Sequence, residues 1–183
     1  MAERILKWLG IVFGIAAALV ILLVVGFYLL IVFSASGSDA PRRDGSWQRQ
    51  ISIDLQLNVK SASVLYEKDT HGGFLGDGTT LVALQLRETA MAAKLAEQPN
   101  WRALPLPEIL YKEVYDNFFF RSEEGDPLVQ PVENGYYFFL DRHSMAEDIF
   151  DPSGLMEERY SSNYTIGIYD ADENILYYLE LDT

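Results

Sequence analysis

The chain has no cysteine, only two histidines (His71 and His143) and little positive charge: 14 Lys and Arg stand against 27 Asp and Glu in 183 residues, a formal net charge of −13. Without cysteine there is no disulfide framework, no thiolate zinc or iron–sulfur site and no lipidated cysteine to serve as an acyl anchor. The acid excess excludes a nucleic-acid binder, because this surface repels a phosphate backbone. Two imidazoles confine histidine chemistry to two places. The glycine-rich phosphate-binding motifs are missing too. No Gly-Lys-Ser/Thr closes a P-loop, and no G-x-S-x-G supplies a hydrolase nucleophile.

What is present falls into two unlike pieces. Residues 1–46 hold four of the basic groups (Arg4, Lys7, Arg42, Arg43) and three of the acids, which leaves ten and 24 for residues 47–183, a net −14. Trp8 to Phe33 is an unbroken apolar run. As a helix it would be about 39 Å long, against a hydrocarbon core of roughly 30 Å, so it is expected to span a membrane with tilt. A signal-peptide core is usually ~7–15 residues, which makes an uncleaved signal anchor the better reading. Residues 1–7 are then a short cytoplasmic tail.

Lys and Arg counts on the two sides nearly tie, so orientation rests on architecture. One anchor followed by a folded domain places that domain outside the cell membrane. Gly10, Gly14 and Ala18 form a small-residue stripe that would let two such helices approach closely as a homodimer; glycines are also frequent in membrane helices for no such reason.

Residues 34–46, SASGSDAPRRDGS, have the composition of a flexible tether. The domain, 47–183, is expected to be α+β, with a mainly antiparallel sheet and one or two helices. Ile51, Ile53, Leu55, Leu57 and Val59 alternate with polar residues and predict a strand. Further strands are expected at 63–67 and 79–86, and helices at 88–98 and around Leu106, Leu110 and Val114. Two hairpins are expected: 128–132 with 136–140 about Asn134-Gly135, and 164–169 with 175–181 about 170–174.

Asp69-Thr70-His71-Gly72-Gly73-Phe74-Leu75-Gly76-Asp77-Gly78 is the most unusual string. Its glycines permit positive backbone dihedrals and close approach of a ligand. The second histidine lies in Asp141-Arg142-His143. If the two segments meet, Asp69, His71, Asp77, Asp141 and His143 offer nitrogen and oxygen ligands to a divalent metal ion, and the chain would then be a metal-assisted hydrolase. The plainer reading is a structural loop, with aspartates closing turns and no cofactor. Asp170-x-Asp172-x-Asn174 imitates the start of a calcium loop. Ile175 and Leu181 stand where such a loop needs Gly and Glu, which makes it a polar turn. The aromatic runs 118–120 and 136–139 place rings on both faces of their segments, for the core or for a cell-surface protein or glycan.

DTHGGFLGDG followed by TTLVALQL, then NWRALPLP and NYTIGIYDADENILYYLELD, resembles small uncharacterised membrane-anchored proteins of Gram-positive bacteria over most of residues 50–183. The resemblance implies an anchored surface domain and carries no activity or site residue with it. Together these readings lead to the expectation of a non-catalytic, extracytoplasmic binding or accessory domain whose membrane partner is the lipid bilayer.

Overall fold

In a computed structural model of the chain, residues 46–72, 76–156 and 159–183 are described, with Ile21, Leu23 and Val25 as isolated helical positions. Those three and Gly72 belong to one unit; residues 46–71, 76–156 and 159–183 belong to another, which is the domain. Apart from the three isolated positions, the expected membrane helix lies outside the described residues. So do Gly10, Gly14 and Ala18, the tether up to Gly45, and Gly73. Among the described residues no helix is long and apolar enough to cross a membrane.

The domain is α+β. Its six strands are β1 (Ser63–Asp69), β2 (Gly78–Gln85), β3 (Trp101–Ala103), β4 (Gly135–Asp141), β5 (Asn163–Asp170) and β6 (Ile175–Asp182). They form one sheet in the order β1-β2-β6-β5-β4-β3, and every neighbouring pair is antiparallel. Its helices are α1 (Ser46–Asp54), α2 (Met91–Ala96) and α3 (Glu108–Tyr111), the last running on into a π-helical turn over Lys112–Asp116.

Alternation along each strand divides the core in two. Leu176 and Tyr178 of β6 pack with Trp47, Ile51 and Leu55 of the α1 segment and with Met91 and Leu95 of α2. Tyr177, Leu179 and Leu181 face the other way, onto Leu110, Val114 and Phe120. The 136–139 run serves both faces: Phe138 belongs to the first cluster, Tyr137 and Phe139 to the second. With both faces covered, the inner strands read as continuous apolar runs, as Leu81–Leu84 does.

The expected strand at 51–59 is a helix instead. Trp47, Ile51 and Leu55 are buried and recur every four residues, while Ile53, between them, is 64% exposed. The alternation fails one step earlier, at Arg49, whereas the four-residue spacing continues back to Trp47. The helical stripe is therefore the longer pattern, and burying it on the sheet decides the outcome. α1 stops where Gln56 turns to a positive φ of 54°, and Leu57 and Val59 then bury from irregular chain.

The expected first hairpin does not form either. Residues 128–132 make no strand, and Gly135 opens β4 at φ 150° beside β5. A Cβ there would lie 1.8 Å from the Tyr169 carbonyl oxygen, so only glycine fits. Asn134 instead docks on the β5–β6 turn: its carbonyl accepts from Ala171 N, and Nδ2 donates to Asp172 Oδ1 at 2.8 Å. The expected second hairpin is β5–β6, and Asp170 Oδ1 closes its turn by accepting from the N–H groups of Asp172 and Glu173.

Candidate functional site

Directly opposed residues of an antiparallel sheet share a face. Asp69, Thr80, Glu180 and Thr165 are opposed in one row across β1, β2, β6 and β5, and Gly78, Asp182 and Asn163 make the next. At this end of the sheet the face that carries Tyr178 and α1 turns from apolar to ionisable. Gly78 leaves room for the chain beyond β1. A Cβ on it would meet the His71 Cα at 2.5 Å, so the bare glycine lets that chain fold over β2.

That crossing delivers the imidazole to β6. His71 Nδ1 lies 2.8 Å from Asp69 Oδ1 and 3.1 Å from Thr80 Oγ1. Nε2 lies 3.1 Å from Asp182 Oδ2. Each ring nitrogen therefore faces a carboxylate, and the His71 N–H also donates to Asp69 Oδ1. From the other side Arg142, just beyond β4, places Nη2 3.0 Å from both Glu180 Oε1 and Asp182 Oδ1, and donates to the carbonyl of Tyr164. Tyr178 donates toward Asp54 Oδ2 of α1 at 2.8 Å and Glu180 Oε2 at 3.2 Å.

Every oxygen of Glu180 and Asp182 thus has a protein partner. The charge balance still leans negative: Asp54, Asp69, Glu180 and Asp182 gather around one arginine and one histidine. Burial raises the Glu180 carboxyl above its ordinary range; Arg142 opposes that shift, and the nearby Asp182 charge adds to it. Tyr178 is pushed far up, first by burial and then by the Glu180 and Asp54 charges, so its hydroxyl remains a donor.

Asp69 and His71 are therefore brought together. Asp77 is exposed, and Gly72 lies in irregular chain. Asp141 and His143 form a separate arrangement. Asp141 Oδ2 pairs with Arg159 Nη1 at 2.5 Å, and its Oδ1 accepts the His143 N–H at 2.9 Å. His143 is buried; Nδ1 accepts from Met145 N, and the ring stands edge-on to Tyr160. Among the described residues, the His, Asp and Glu group with ligand atoms all within 4.8 Å of one another is His71, Glu180 and Asp182. Neither Asp141 nor His143 joins it.

The sequence reading missed Glu180, Asp182, Arg142, Tyr178 and Asp54. A signal for three of them exists: Tyr178-x-Glu180-x-Asp182 has the period that puts all three on one face of a strand. Asp69 behind Nδ1, with Nε2 beside two carboxylates, is the arrangement in which a histidine is oriented for a cation. Divalent zinc or manganese suits such a nitrogen and oxygen set, with Arg142 as its competitor. Comparison with protein-family models, with curated proteins and with solved structures finds no match for this chain.

Proposed function

We propose that the chain is a single-pass, membrane-tethered binding or accessory domain without catalysis of its own, held on the outer side of the membrane by the Trp8–Phe33 helix. The length and apolarity of that run support the anchor. One observation carries the non-catalytic part: the cluster of His71, Glu180, Asp182 and Arg142 is closed on itself. Its carboxylate oxygens are already occupied by Arg142, Tyr178 and His71, and the Thr80 hydroxyl beside His71 Nδ1 shares that nitrogen with Asp69. Such a network fastens the ends of β1, β6 and β4 together.

The purified full chain, assayed in detergent against a panel of esterase, phosphatase, peptidase and glycosidase substrates, is expected to show no turnover. Turnover that His71→Ala abolishes would overturn the proposal. For the anchor, protease added to intact cells is expected to digest the domain.

A second reading is favoured by the 4.8 Å grouping and the orienting Asp69: a cation-assisted hydrolase centred on His71. It predicts a rise in unfolding temperature with zinc or manganese that His71→Ala removes. No shift with either disposes of it.

A further inference from the structure

Asn134-Gly135 is a hairpin signature that makes no hairpin, and the function proposed above does not use it. Gly135 is obligatory, because a Cβ there would lie 1.8 Å from the Tyr169 carbonyl oxygen. Asparagine is a chemically labile residue, and most so before glycine, where no Cβ hinders attack of the next main-chain nitrogen on its side chain. The fold therefore forces a reactive neighbour on Asn134.

Asn134 is exposed, yet two bonds hold its bend against the β5–β6 turn. Its carbonyl accepts from Ala171 N at 2.9 Å, and Nδ2 donates to Asp172 Oδ1 at 2.8 Å. Nδ2 is the atom that leaves when the side chain is attacked, so the Asp172 carboxylate must release it first. Once the amide has become an acid, the same carboxylate faces a like charge. Asp172 thus guards the asparagine and repels its product.

We propose that Asn134 is a self-modification site, converted with water to aspartate or isoaspartate, and that its conversion releases the bend from the β5–β6 turn. The Gly135 nitrogen bonds to Asn134 Cγ as the Cγ–Nδ2 bond breaks, and Nδ2 departs with the main-chain amide proton as ammonia, leaving a cyclic imide. Water then adds at one of the two ring carbonyls. Breaking the bond from Cγ to nitrogen gives aspartate; breaking the main-chain bond gives isoaspartate, whose chain runs on through Cγ. Neither step needs an oxidant or a reductant. Either product adds a carboxylate beside the turn, and isoaspartate also lengthens the chain ahead of Gly135, which has no room to shift toward Tyr169. This goes beyond the function proposed above and does not rest on the anchor or on His71.

The test is peptide mapping by mass spectrometry of the full chain in detergent micelles, aged at alkaline pH with and without urea. In the folded chain, Asp172→Ala is expected to convert Asn134 roughly three- to tenfold faster than wild type, the worth of one hydrogen bond. Glu173→Gln alters an exposed side chain beside it and should keep the wild-type rate; in urea all three should convert alike. For the release, Asn134→Asp is expected to lower the urea midpoint by about 0.5 M. Asn134→Asp/Asp172→Asn restores the hydrogen bond with its partners exchanged and should recover the midpoint. Equal folded rates in wild type and Asp172→Ala, the same acceleration in Glu173→Gln, conversion confined to urea, or an unchanged midpoint in Asn134→Asp would each overturn the proposal.

Discussion

Ile51 and Ile53 are two residues apart, and a strand would bury both or expose both. In α1 they part company: Ile51 is fully buried, between Trp47 and Leu55, while Ile53 is 64% exposed. Ile51→Ala removes three carbons from a closed core. The transfer loss is about 2.4 kcal/mol at ~0.8 kcal/mol per carbon, and the cavity left behind raises it toward 3–4. Ile53→Ala loses only the buried third of the same area and opens no cavity, which keeps its cost below about 1 kcal/mol. With a urea slope of about 2 kcal/mol per molar, the Ile51 midpoint falls by about 1.5–2 M and the Ile53 midpoint by less than about 0.5 M. Trp47 and Trp101 both belong to this core and provide a fluorescence signal for the unfolding curve. Equal shifts for the two variants would refute the helix and restore the strand.

Gly78→Ala places a methyl against the His71 backbone; an overpacking loss of about 1–3 kcal/mol is expected in urea unfolding, together with a changed His71 imidazole NMR signal as the ring leaves Asp182. Asp141→Leu removes the carboxylate from an ion pair with Arg159 that is almost completely buried, and breaking such a pair costs roughly 3–5 kcal/mol, measurable as a lowered urea midpoint. The raised Glu180 carboxyl sets a pH dependence. In the folded chain it binds its proton above the unfolded value, so its contribution to stability falls as pH rises from the unfolded to the folded pKa and is flat beyond. Glu180→Gln is therefore expected to flatten the curve of unfolding temperature against pH in that window, and an unaltered slope in the variant would contradict the assignment.

The parts of the fold legible in the sequence are those set by local patterns. The turn at 170–174 announces itself through Asp170 and Asn174, and its flanking runs pair as the expected hairpin. What was not legible depends on distant partners. Asn134-Gly135 carries a hairpin signature, yet Gly135 is there because Tyr169 approaches it, a contact between residues 34 positions apart. The three-residue strand Trp101–Ala103 has too little pattern of its own and exists by pairing with β4. The site divides in the same way. Asp69 and His71 stand out by composition, whereas Glu180, Asp182 and Arg142 look like ordinary strand-end charges until the sheet order sets β6 between the chains that carry the other two.

That sheet order has a consequence for synthesis. β6 is the latest of the six strands in chain order, yet it is the inner strand that joins β2 to β5. Until residues 175–182 leave the ribosome, the growing chain can hold only two separate ribbons, β1–β2 and β5–β4–β3, each with an unpaired inner edge and an uncovered apolar face. Arrested chains stopped before residue 175 should therefore be protease-sensitive throughout, with resistance arriving in one step when β6 is added.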